Sequence, residues 1–187
     1  MKSPKEYRIR KIERYKNELP KDKVLSFFVK IATLFQLEMC GLFLADYLTD
    51  YDNAIARIAA SAVFVVLDLF YANKKYSKEM RKERLETELR LQDSLNLDMA
   101  KECIKQEIDS ISNRQKNSLC WSTAHFVIGT AFMFLSTYGK FDIALTTLGL
   151  YEFLNSFDGV VKQMNLHESK MDLEESLELS ETREIRR

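Results

Sequence analysis

The stretch 118–138, SLCWSTAHFVIGTAFMFLSTY, holds no Asp, Glu, Lys or Arg, although these four residues make up 30% of the chain. A helix rises ~1.5 Å per residue and the hydrocarbon core of a bilayer is ~30 Å thick, so one crossing needs about 20 mostly apolar residues. The segment therefore reads as a membrane span. Three further apolar segments, 24–48, 54–73 and 141–161, have comparable length and are interrupted only by scattered ionisable residues.

Little in the chain breaks a helix. There are 5 Gly and 2 Pro in 187 residues, and the prolines, Pro4 and Pro20, fall at the very start. Chains so poor in punctuation build helices rather than strands and turns. The expectation is an all-α protein with four transmembrane helices and long cytoplasmic helical extensions. It divides into a basic cytoplasmic arm (1–23), a transmembrane hairpin (24–73), a cytoplasmic helical hairpin (74–117), a second transmembrane hairpin (118–162) and a cytoplasmic helix and tail (163–187).

Ser3-Pro4-Lys5-Glu6 has the form of a helix start, with a Ser cap, Pro at the first helical position and Glu three residues after the cap. Beyond it, basic residues surround a thin stripe of Ile12, Tyr15 and Leu19, and Pro20 is expected to separate this arm from the first span. Arg8, Lys11 and Arg14 are candidates for contact with lipid headgroups, because a basic helix can lie on an anionic inner leaflet. A solvated or partner-packed helix is the alternative. No cleaved targeting segment is expected, since the arm is highly charged and no small-residue cleavage pattern follows the first apolar run.

The connection 74–117 is polar, lacks Gly and Pro, and carries apolar residues at three-and-four spacing. Leu85 and Leu89, then Ile104 and Ile108, mark an amphipathic pattern whose phase shifts near residues 93–98. The second span should run on as a long helix, turn near 94–98, and return into the third. Leu173 and Leu177 continue the theme in the tail, whose last residues are expected to fray. These six residues are the candidate docking surface for a partner protein.

Basic residues set the orientation. They crowd the arm and the long connection (Lys74, Lys75, Lys78, Arg81, Lys82, Arg84, Arg114, Lys116), whereas the two short turns hold only Lys140. By the positive-inside rule both termini and the helical hairpin are cytoplasmic, which predicts a multi-pass protein of the cell inner membrane.

Ionisable groups at membrane depth cost about 2.5 to 3.5 kcal/mol each on insertion scales and so need a partner or a wet cavity. Counting from the segment ends puts Lys30, Asp68, His125 and Asp158 in the inner third, where Lys30 can neutralise Asp68 or Asp158. A proton relay through His125 is the functional alternative to such a packing cluster. Glu38 and Glu152 fall near mid-membrane with no basic residue expected at that depth. Each either makes one interhelical hydrogen bond as a neutral acid or, in a homo-oligomer, repeats as a ring, which is one way to make a cation-selective constriction. Asp142 is counted inside the fourth segment, Glu152, Asn155, Ser156 and Gly159 lie roughly along one face of it, and Gly41, Gly129 and Gly149 permit close helix approach.

No phosphate loop, nucleophile motif or H-E-x-x-H occurs, and Cys40, Cys103 and Cys120 have neither disulfide-framework nor zinc spacing. No enzyme activity, metal, cofactor or small-molecule substrate is expected. Formal charge is zero, and Glu6, Glu13 and Glu18 interleave with the basic residues of the arm, which argues against nucleic acid as a partner. In plan the chain resembles the small membrane subunit of the Kiwa type of bacterial anti-phage defence system, through the four segments above, inward-facing termini and a cytosolic helical part. The resemblance implies a homo-oligomer of the inner membrane that senses a disturbance at the cell surface and holds a soluble effector. Read from the residues, three functions stay open: a self-associating membrane anchor that docks a cytosolic protein, an ion-conducting pore with a carboxylate ring, and a soluble helical bundle.

Overall fold

The computed structural model describes residues 4–45, 51–93, 97–138 and 142–185, with side chains described over most of these. They form four long helices and, among the described residues, no strand: α1 (Pro4–Ala45), α2 (Tyr51–Asp93), α3 (Leu97–Tyr138) and α4 (Ile143–Ile185). Each has 42 or 43 residues and is therefore ~63 to 65 Å long at ~1.5 Å per residue, about twice the thickness of a hydrocarbon core. Every helix crosses from an apolar half into a charged half without a break.

The chain runs up, down, up, down. α1 packs along α2 and α3 along α4, and the two hairpins join through α2 and α1 against α4. Antiparallel pairing of α1 with α2 is fixed at intervals by Lys5–Asp93 at 2.6 Å, Lys78–Asp22 at 2.5 Å and the Thr33 hydroxyl 3.1 Å from the Phe64 carbonyl. In the charged half the core is Met80, Ile111 and Leu166, one residue from each of α2, α3 and α4, with Leu173 packed against it. We call this half the stalk.

Pro20 does not separate an arm from a span. α1 continues through it. Proline removes one backbone donor and usually costs an interior helix ~3 kcal/mol or more. Here Glu18 and Asp22, on either side of it, both hold Lys78 of α2, at 2.9 and 2.5 Å, and Lys74 lies 3.8 Å from Asp22. The clamp keeps both sides of Pro20 on the same neighbour.

Asp142 is likewise not inside a span. Its carboxylate accepts from the backbone N–H of Ala144 at 2.8 Å and of Leu145 at 3.3 Å, which makes it the cap of α4. The Ser3 cap, the end of the first apolar segment (46–48), residues 94–96 of the expected turn and Gly139-Lys140 lie outside the described residues. α2 already begins at Tyr51, and α4 is helical to Ile185 rather than frayed from Arg183.

Among the described residues, two helices, α1 and α3, are long and apolar enough to cross a membrane. Only a small share of their apolar windows is buried. In this half of the bundle the usual order of burial is inverted. Ser26, Thr33, Ser61, Ser122, Ser136 and Ser156 are inside, while Phe28, Phe35, Val66, Phe70, Phe126, Phe134, Ile143 and Val160 face out.

Candidate functional site: polar layers inside the bundle

The inward-facing polar groups lie in layers along α4. At the innermost layer Lys30 of α1 donates to Asp158 at 2.7 Å and to the Asn155 side-chain oxygen at 3.1 Å. Asp68 of α2 is completely buried, and neither of its carboxylate oxygens has a hydrogen-bond partner. The charges acting on it include Asp158, Lys30 and Lys75. Lys30 is thus bonded to Asp158 and not to Asp68, whose carboxylate lies close enough to feel its charge and that of Lys75.

One layer outward, His125 Nδ1 meets Glu152, and the Trp121 ring lies 6.1 Å from that imidazole. This corrects the expectation that Glu152 has no basic group at its depth and that His125 belongs with Lys30, Asp68 and Asp158. The reason is the register of α3 against α4, which small residues set. A Cβ built on Gly129 would lie 3.0 Å from the Gly149 carbonyl, and one on Gly159 would lie 2.8 Å from the Ser122 Cβ. The Ser122 hydroxyl donates to the Ser156 carbonyl at 2.8 Å, and that of Ser118 to the Gly159 carbonyl at 3.1 Å. Helices locked backbone to backbone in this way put His125 opposite Glu152, whatever the distance of each from its own helix end.

Farther out, Glu38 of α1 takes a hydrogen bond from Thr147 of α4. Glu38 and Glu152 do not meet; each is held inside one chain by a residue of α3 or α4. The structure thus brings together Lys30, Asp68 and Asp158, pairs His125 with Glu152, and leaves Glu38 apart.

The docking candidates are part of the stalk interior. Ile104 is buried, Leu173 rests on the core cluster, and Leu85, Leu89, Ile108 and Leu177 are half-buried. Their spacing marks an apolar face, of which Ile104 and Leu173 are taken up inside the chain, contrary to their expected place on a docking surface, while the other four stay partly accessible. The stalk exterior is instead charged, with Arg84 on Asp172 and Arg114 on Glu83 joining its helices.

The headgroup candidates are also displaced. Arg8 lies 3.3 Å from Glu88, Arg14 2.8 Å from Glu18, and Lys11 sits 5.5 Å over the Tyr7 ring. Because α1 is straight-through helix, Arg14 and Arg8 stand ~15 and ~24 Å of axial rise from Val24, where the apolar half begins, so both stand on the stalk. The Lys78 ammonium first, and the Arg14 guanidinium second, hold the Glu18 carboxyl down at about 2. Asp22 and Glu18 in turn raise Lys78 above its ordinary value.

Among the described residues no three His, Cys, Asp or Glu side chains come together as metal ligands would. Cys40 is buried and Cys103 and Cys120 are exposed, all as free thiols. No family model, curated protein or solved structure matches the chain.

Proposed function

We propose that the protein is a non-enzymatic, four-span membrane protein that self-associates in the bilayer and docks a cytosolic protein on its stalk. The observation that carries this reading is the inverted burial of one half of the bundle. Leaving a large apolar side chain in water instead of burying it forfeits about 1.5 to 3 kcal/mol, and all four helices expose several. In a bilayer the same surface costs nothing, while the small hydroxyl residues inside suit helix association where lipid removes the hydrophobic drive.

The second and fourth spans rest on where their charges point. In α2 the run 58–71 has one charged residue, Asp68, and it is buried. In α4 Glu152 and Asp158 turn onto α3 and α1. These acids lower the average hydropathy of their helices without being presented to lipid. The positive-inside distribution then supports a cytoplasmic stalk with both termini in it.

The contact with a second copy falls to the outer face of α3, where the small residues Cys120, Thr123 and Ala124 allow close helix approach beside Leu119 and Val127. Docking falls to the charged exterior of the stalk. On the resemblance given above, the docked protein is a soluble effector of a bacterial defence system. A pore with a carboxylate ring gains no support, since Glu38 and Glu152 are engaged by Thr147 and His125.

Alkaline carbonate washing of membranes is the direct test. The full chain should stay in the pellet, and so should a variant lacking 78–111, which should also lose its partner. Release of the full chain by carbonate rejects the spans, and partner capture by the deleted form rejects the stalk as the docking element.

A further inference from the structure

Between α2 and α3, over α4, the bundle is open. The stalk closes the gap with Met80, Ile111 and Leu166 and with the 2.6 Å contact from Arg114 to Glu83. Toward the apolar half the gap widens into a crevice of about 570 Å³, within the ~300 to 1,000 Å³ usual for ligand sites. Its walls are Tyr76 from α2, Arg114, Asn117 and Trp121 from α3, and Asp158 and Lys162 from α4.

The position of this crevice is distinctive. Arg114 and Lys162 stand on the stalk side of it and Trp121, 67% exposed, on the apolar side. Tryptophan is enriched at the headgroup level, and basic pockets between helices on the cytoplasmic side suit acidic lipid headgroups. The charges within it are unequally spent. Arg114 is held by Glu83 and, at 3.7 Å, by Glu107, yet its Nε is buried without a hydrogen-bond partner. Asp158 is met from behind by Lys30. Lys162 is in no ion pair among the described residues, so the crevice keeps one uncompensated cation beside a guanidinium shared between two carboxylates.

We propose that this crevice binds the phosphate of an anionic phospholipid headgroup, with Lys162 and Arg114 on the phosphate, Asn117 as a neutral donor and Trp121 against the first carbons of the acyl chains. The site rests on the membrane reading above. It would tie the α2–α3 gap, the least braced part of the bundle, to the composition of the inner leaflet.

Trp121 is the chain's one tryptophan, so its fluorescence reports the crevice alone. The full-length protein is reconstituted into phosphatidylcholine vesicles in which a fixed fraction of lipid is brominated on its acyl chains, as either phosphatidylglycerol or phosphatidylcholine. Brominated phosphatidylglycerol should quench at least twofold more at equal mole fraction. Lys162→Gln should abolish that preference, and Lys116→Gln, a basic residue of α3 lining a different face, should keep it. Inorganic phosphate at millimolar concentration should not reduce the preference; competition by it would show a free-phosphate site and overturn the lipid assignment. Equal quenching by both lipids in the unaltered protein overturns the proposal but leaves the spans intact. Absence of quenching by either lipid overturns the membrane reading itself.

Discussion

Lys30 of α1 and Asp158 of α4 meet at 2.7 Å with side chains only 9% and 13% exposed, and the fully buried Asp68 of α2 shares their layer. One ion pair thus ties the first hairpin to the second, and a spare carboxylate of α2 lies beside it. Breaking a buried pair by removing one partner costs about 3 to 5 kcal/mol, chiefly because it strands the other charge.

The two partners are therefore not equivalent. Lys30→Met strands Asp158, its ion-pair partner, and takes away one of the two lysines whose charge reaches Asp68, so it should lower stability by about 3 to 5 kcal/mol. Asp158→Asn should cost clearly less, because Lys30 retains Asp68 as counter-ion. Thermal midpoints of the two variants in detergent decide this; equal losses would show that Asp68 takes no part in the layer.

The α3–α4 seam has no slack at Gly159, where an added Cβ would come 2.8 Å from the Ser122 Cβ. Both atoms are anchored to backbone, so neither can swing away. Overpacking of this kind costs about 1 to 3 kcal/mol. Gly159→Ala should destabilise by that amount, and Ser122→Gly in the same chain should recover most of it despite losing the Ser122 hydrogen bond. Failure of the second change to help would mean that the seam is looser than 2.8 Å implies.

The clamp across Pro20 titrates in acid. Glu18 has an ordinary value of 4.5 and is held down to about 2 in the fold, so its contribution is complete above about 4.5 and is lost as pH falls toward 2. Lys78, raised above 10.5, works in the opposite sense: its contribution is complete below that value and is lost only as alkaline pH passes its folded value. Melting of the stalk followed from pH 7 to pH 2 should show a decline below pH 4.5 that Glu18→Gln flattens. An unchanged slope in that variant would remove the clamp from the account of Pro20.

Surface substitutions discriminate the two solvents. Val66 is 64% exposed near the middle of the apolar half of α2. On a soluble bundle Val66→Lys would be worth no more than about 0.5 kcal/mol. Facing lipid, it should cost about 2.5 to 3.5 kcal/mol of insertion and lower the membrane-integrated fraction accordingly.

Helix content was legible in the sequence because Gly and Pro are almost absent after residue 20, and α2 ends at Asp93 and α3 begins at Leu97, on either side of the place where the apolar phase shifts. The Lys30 layer was legible too, since ionisable residues at similar depth have few alternatives to one another. What was not legible is register. His125 was placed by counting from the helix end, whereas Gly129, Gly149 and Gly159 decide how far α3 slides along α4. Amphipathic spacing likewise shows that Ile104 and Leu173 are covered but not by which chain, and the covering helices prove to be their own neighbours. Asp142, directly before an apolar run, carried a capping signal that depth counting concealed.

The most direct test of the bilayer reading compares two exposed positions of α3, Cys103 on the stalk and Val127 in the apolar half. Val127→Cys, in a chain that also carries Cys40→Ser and Cys120→Ser, puts a thiol ~9 Å of axial rise beyond Trp121, where the bilayer reading surrounds it with lipid and keeps a water-borne reagent away. With a membrane-impermeant maleimide applied to inside-out vesicles, Cys103 should label rapidly while position 127 stays silent until detergent or denaturant is added. Labelling of position 127 as fast as Cys103 in intact vesicles would mean that the apolar half is bathed in water, and would contradict the account.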